Sequence, residues 1–250
     1  MNTLGSIQGG FFNNVNVGIV TPESKVDLIR IIKETISKKG SDCDLNFINT
    51  SKLKDMSDLF AWSTFVGDIS GWNVSNVVDM HNMFANSNFN NDISKWNVSK
   101  VENMSELFYN NQFAGDISKW DVSGVTNMES MFEDSSFNND ISKWNVSKVR
   151  YMCYMFANSE FNGDISEWDV SNVKNMNSMF YRSSFTGDIS KWDVRNVKNM
   201  HGMFESGEFQ GDLSNWKLSK LVNIKYMFHN SKLSDLGMTP DWYKECTTPE

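Results

Sequence analysis

Apolar residues in this chain recur with a period far longer than the 2 or 3.6 of a single strand or helix. Seven tryptophans stand at an unbroken spacing of 24: Trp72, Trp96, Trp120, Trp144, Trp168, Trp192 and Trp216. Ile48 holds the same slot one step earlier. Three residues before the slot stands Ile or Leu (Ile69, Ile93, Leu213), and two after it Val, Leu or Thr (Val74, Val98, Thr50). Val or Leu follows at five, Met or Ile at eight (Met80, Met104, Ile224), Met or Leu at eleven, Phe at twelve, and Phe or Leu at seventeen. A unit of 24 residues cannot bury eight apolar columns by itself, but stacked units share one continuous core. The pattern predicts a repeat solenoid of eight coils over 44–233.

Local patterns predict the parts of each coil. In Ile-x-x-Trp-x-Val, Trp and Val share one face of an extended segment, which predicts a short parallel strand with its flanking residues turned to solvent. Gly or Asn stands five before Trp (Gly67, Asn91, Gly115, Asn139, Gly163, Gly187, Gly211). These residues tolerate positive φ and predict a tight corner. Asn or Asp stands seven after Trp (Asp55, Asp79, Asn103, Asn127, Asn175, Asn199, Asn223), with Tyr151 the exception. That column predicts an N-cap before a short helical turn at Met-x-x-Met-Phe. Residues 1–21 read as a tail and 22–43 as a capping helix and linker. Thr21 is the expected N-cap, Pro22 the first helical residue, Gly40 the stop, and Leu28, Ile29, Ile32 and Ile36 the apolar stripe. Residues 234–250 read as a C-terminal cap, with Leu236, Met238 and Trp242 closing that end.

The phrase "GDISKWDV" with "NVKNM" and "MF" resembles the BspA-like leucine-rich-repeat surface proteins, also described as the DUF285 or 26-residue-repeat family. "DLNFINTSKLKDMSDLF" looks like the family's opening unit. The resemblance implies a leucine-rich-repeat-type β-solenoid, surface exposure and an adhesion-like role without enzymatic chemistry. The period of 24 is shorter than the 25 or 26 commoner in that family.

Composition narrows the partners. With 23 Lys and Arg against 31 Asp and Glu, the net charge of −8 has the wrong sign for a general nucleic-acid or anionic-membrane binder. No apolar run approaches the roughly 18 residues of a membrane span. The start lacks the charged and apolar regions of a signal peptide. The family points to the cell surface. Cys43, Cys153 and Cys246 lie too many coils apart to pair within about 7 Å, and unpaired thiols are compatible with the cytoplasm.

Candidate chemistry is sparse. Asp stands four before Trp in every unit (Asp44, Asp68, Asp92, Asp116, Asp140, Asp164, Asp188, Asp212). Such a column could be imagined to bind calcium, but one carboxylate per turn after a Gly or Asn corner reads as a structural corner that accepts backbone N–H groups. The Trp column, imaginable as a sugar platform, has core parity, and the Met columns read as core rather than ligands. His81, His201 and His229 do not converge, so no metal or cofactor is expected. "NVS" occurs at Asn73, Asn97 and Asn145, but Asp shares that column, so glycosylation is not its expected role. No phosphate loop or catalytic motif appears.

What remains is the outward strand face. Lys95, Lys119, Lys143, Glu167 and Lys191 stand just before Trp, and Asn97, Asp121, Asn145, Asp169 and Asp193 just after it. These are the expected partner-binding residues of a monomeric, non-enzymatic scaffold that contacts another protein or a glycan-bearing surface. The alternatives are a structural spacer or surface-layer element and, behind it, a parallel β-helix enzyme acting on polysaccharide.

Overall fold

The computed structural model describes residues 18–247, with side chains up to Lys244. Residues 1–17 of the expected tail and the Cys246 side chain lie outside the described residues. Helix α1 spans Lys25–Lys39, α2 Lys232–Asp235 and α3 Asp241–Thr247. Between α1 and α2 the chain winds as stacked coils, one per 24 residues. The eight apolar columns of each internal coil are buried, and the Phe rings stack from coil to coil. Phe108 lies 5.7 Å from Phe84 and 5.8 Å from Phe132 between centroids, and 4.2 Å from Phe113 within its own coil.

The expected strands are not there. Among the described residues, strand pairing is confined to isolated parallel bridges, and seven of these link one column from Asp55 to Asn223. The Ile-x-x-Trp segment is instead a turn: the Trp96 N–H returns to the Ile93 carbonyl at 3.1 Å, and Asp92 Oδ1 accepts the Ser94 N–H at 2.8 Å. A side-chain acceptor two residues upstream competes with the extended ladder, and here it wins.

The expected helical turn is also replaced. Alternate amides of the Met-x-x-Met-Phe stretch leave their own coil. Met80, Asn82, Phe84 and Asn86 donate to the carbonyls of Asn103, Ser105, Leu107 and Tyr109 at 2.8–3.0 Å. The amides between them stay local: His81 donates to Asp79 Oδ1 at 3.0 Å, Met83 to the Met80 carbonyl and Ala85 to the Asn82 carbonyl, both at 3.3 Å. A helix would point every amide back along its own chain. Left-handed residues at two columns break that run, as at Asn82 (φ 58°), Asn86 (φ 53°), Glu106 (φ 55°) and Tyr154 (φ 57°). The column expected to cap the turn therefore carries the bridges, and its side chains, Tyr151 apart, accept the amide two residues on.

The corner glycines have a different cause from the expected one. Gly67, Gly115, Gly163, Gly187 and Gly211 are not among the positive-φ residues. A Cβ on Gly115 would sit 2.5 Å from Phe113 Cζ. At Gly115, Gly163, Gly187 and Gly211 the Phe ring two residues back lies against the backbone, and at Gly67 the Cys43 carbonyl does. Asn91 and Asn139 in the same column bond the preceding coil instead, as Asn139 Nδ2 does to the Ala114 carbonyl at 2.7 Å.

Both ends are closed by non-repeat chain. Ser24, not Thr21, caps α1 by accepting the Asp27 N–H at 3.1 Å, and Gly40 ends the helix at φ 95°. Leu28 and Ile32 are buried on the first coil, with Ile31 and Ile36 packed against the core. Val20 pairs with Ile48, so part of the expected tail belongs to the stack. At the other end Leu233, Trp242 and Tyr243 cover Phe228, whereas Leu236 and Met238 are exposed rather than closing the array.

Candidate functional site

Each coil presents a ridge where the Trp turn meets solvent. The indole fixes it: Trp120 Nε1 donates to the Ile93 carbonyl of the preceding coil at 3.2 Å, Trp144 to Ile117 at 3.1 Å and Trp168 to Ile141 at 3.2 Å. The ring is buried and its one donor satisfied, so the turn above it has a firm seat. Lys95, Lys119, Lys143, Glu167 and Lys191 project from these turns and are exposed. Lys191 reaches Glu167 on the neighbouring coil at 3.2 Å. Residues expected on a flat strand face thus line a ridge of stacked turns.

The column after Trp does structural work. Asn97 Oδ1 accepts the N–H of Ser99 at 3.2 Å and its hydroxyl at 2.7 Å; Asn145 does the same for Ser147 at 3.1 and 2.7 Å. Asp121, Asp169 and Asp193 accept the amides of Ser123, Ser171 and Arg195 at 3.1–3.2 Å. In "NVS" the Asn and Ser are two ends of one turn, and Asp serves equally because only an oxygen acceptor is needed. Arg195 holds Asp193 well down, to about 2, chiefly through its side-chain hydrogen bond.

The corner aspartates behave alike. Asp68, Asp92, Asp116, Asp140, Asp164, Asp188 and Asp212 each accept the amide of the Ser two residues on, at 2.8–3.0 Å. Hydrogen bonds from that Ser, through its N–H and hydroxyl, hold each carboxyl below its ordinary value. Each of these coils therefore spends its corner aspartate on its own turn. Among the described residues no group of three His, Cys, Asp or Glu side chains is arranged to hold a metal.

The sequence profile of the family described as Mycoplasma protein of unknown function, DUF285, matches residues 31–136, 110–208 and 134–242. The chain belongs to the DUF285 family. Two of the matches begin one coil apart, at 110 and 134, so the family's own unit follows this repeat. Neither the curated proteins nor the solved structures give a match to this DUF285 chain. No helix among its described residues is long and apolar enough to cross a membrane.

Two features of the DUF285 stack escaped the sequence reading. On the side opposite in character to the lysines, Glu106, Glu129, Glu133 and Asp134 gather near Tyr109 and Cys153. Burial, then the neighbouring carboxylates, push Glu133 up, and the same combination raises Tyr109. Cys153 is buried and its thiol is pushed up to about 12, by burial first and then by Glu129. A thiol so placed is a poor nucleophile. The second feature is the last coil, where Lys217 replaces the Asn or Asp of every earlier coil and Leu221 is exposed in a column that is otherwise buried. Comparing columns between coils, rather than within one, is the signal that finds both.

Proposed function

We propose that this DUF285 chain is a non-enzymatic binding scaffold of the BspA-like leucine-rich-repeat kind, making adhesion-like contact with another protein or a glycan-bearing surface. The contact runs along the ridge of stacked turns. One observation carries this reading: Lys95, Lys119 and Lys143 stand exposed on three successive turns anchored by buried indoles, with Lys191 beyond Glu167 in the same column, so their charges are presented in a row on a firm support. Preorganised groups lose little entropy on docking. The Asn and Asp column beside them is occupied by its own turns and supplies position more than recognition.

The spacer reading draws on the same observation, since self-satisfied Asx turns need no partner. A pull-down with the full chain separates the two. Changing Lys95, Lys119, Lys143 and Lys191 together to Glu should remove captured partners while the melting temperature stays nearly constant, because exposed charges contribute at most about 1 kcal/mol each. Changing Glu106, Glu129 and Asn177 to Lys should leave capture intact. Loss only in the second set places recognition on the other side of the coil. Absence of any partner, with a defect in assembly when the chain is deleted, supports the spacer.

A further inference from the structure

The last coil opens at one corner. Five residues after Trp, the internal valines Val77, Val101, Val125, Val149, Val173 and Val197 are fully buried, whereas Leu221 in the same column is 84% exposed. Its neighbours Leu218 and Val222 are only partly buried. Helix α3 covers Phe228 and borders this corner through Trp242 without filling it: a cavity of about 400 Å³ is lined by Leu218, Ser219, Lys220, Val222, Ile224 and Trp242. A terminal unit whose task is only to cap an array presents a polar outer face. This one presents an apolar groove.

The backbone at the groove is also open. In an internal coil the Val78 carbonyl accepts the Glu102 N–H at 2.9 Å, and the Met80 N–H donates to the Asn103 carbonyl at 3.0 Å. The equivalent Val222 carbonyl and Ile224 N–H have no partner among the described residues. Between them Asn223 forms the last parallel bridge, to Asn199. An acceptor and a donor so spaced suit one further extended segment.

Charge selects the occupant. Lys217 stands where the seven earlier coils all have Asn or Asp. Lys217 and Lys220 flank Leu218 and Val222 in the sequence, Lys225 follows Ile224, and none of the three has an ion pair among the described residues. A second copy arriving head to tail would bring α1 against this end. On helix α1, Lys25 is paired with Asp55 and Arg30 with Asp27 and Glu34, which leaves Lys33, Lys38 and Lys39 as its excess charge, so the two ends repel. We propose that the open corner docks an extended peptide segment of a partner protein, with an aliphatic side chain entering the cavity and Asp or Glu on either side of it. This site is separate from the ridge.

Selection of a random 12-residue peptide library on the full chain tests it. The expected consensus is an aliphatic residue flanked by acidic ones. A synthetic selected peptide should bind at least tenfold more weakly to Leu221→Asp and to the triple variant Lys217→Glu, Lys220→Glu, Lys225→Glu. It should bind unchanged to the variant with Lys95, Lys119, Lys143 and Lys191 all changed to Glu, so failure here is distinct from failure of the ridge. Because Leu221 is exposed, its replacement spares the core, and a peptide with Lys in place of its acids should regain binding to the triple variant. No consensus, a basic consensus, or affinity indifferent to both end variants overturns the proposal. So does a dimer in sedimentation that Leu221→Asp dissociates, which makes a second copy the occupant. A chain ending at Thr247 that binds the peptide tenfold tighter makes the chain's own terminus the occupant and overturns it equally.

Discussion

The Trp242 indole donates to the Leu213 carbonyl at 2.9 Å, the bond that in earlier coils is made by the tryptophan of the next coil, as by Trp216 to Ile189 at 3.1 Å. Trp242 lies 29 residues after its acceptor rather than 27, so it is outside the 24-residue register yet fills the place of a ninth indole. Tyr243 adds to the imitation by packing edge-on against the Phe228 ring, 4.9 Å between centroids, where an internal coil would have the next ring of the stack. Replacing Trp242 by Phe should keep most of the packing and lose the bond, at a cost of about 1 kcal/mol. Hydrogen exchange in the last coil should accelerate while the first coils are unchanged, as expected where neighbours carry the stability. Uniform acceleration along the chain would show that the end is not an independent cap.

The stacked rings should be costly to interrupt. Phe132 and Phe156 are fully buried with centroids 5.8 Å apart. Either one changed to Ala should lose about 3 to 5 kcal/mol in urea unfolding through the cavity left behind. A loss below about 1 kcal/mol would mean that the stack relaxes around the gap.

Left-handed backbone makes an inverted prediction. Tyr154 sits at φ 57° in a column where Gly202 occurs at φ 58°. A side chain costs about 1 to 2 kcal/mol in that conformation. Tyr154→Gly should therefore be neutral or stabilising, and Tyr154→Val clearly destabilising, in thermal melts of the two variants. Equal destabilisation by both would contradict the observed geometry.

The corner aspartates set the acid sensitivity. Each of Asp92, Asp116, Asp140 and Asp164 is held below its ordinary value by hydrogen bonds from the Ser two residues on. Their contribution is fully present above the unfolded value near 3.9 and is lost as pH falls through the lower folded values. Melting temperature should fall as pH is taken from 5 to below 3. Changing these four to Asn, whose oxygen accepts the same amide without titrating, should flatten that fall; an unchanged slope would assign the acid sensitivity elsewhere.

The period and the core columns were legible because the Trp, Phe and Met columns recur every 24 residues. The conformation inside a coil was not. Ile-x-x-Trp-x-Val has the alternation of a strand, but Asp92 and Asn97 bond local amides and turn the chain. Their signature was present as the Asp-x-Ser and Asn-x-Ser phrases, which the alternation outweighed. Asn82, Asn86, Asn110 and Asn158 likewise signalled left-handed positions in a stretch whose Met and Phe spacing suggested a helix. The candidate ridge was located by its lysines, but its shape depends on those turns and was not readable from parity alone.

The ridge proposal rests on coils that are interchangeable in register. Deleting residues 140–163, one full unit of 24, would set Trp168 over Ile117 in place of Trp144 and leave every column intact. The shortened chain should unfold cooperatively, and small-angle scattering should find its long dimension reduced by about 4.8 Å. Deleting only 140–151 breaks the register and should abolish cooperative unfolding. If the two deletions behave alike, whether both fold or both fail, the account of a stack built from equivalent 24-residue coils is contradicted.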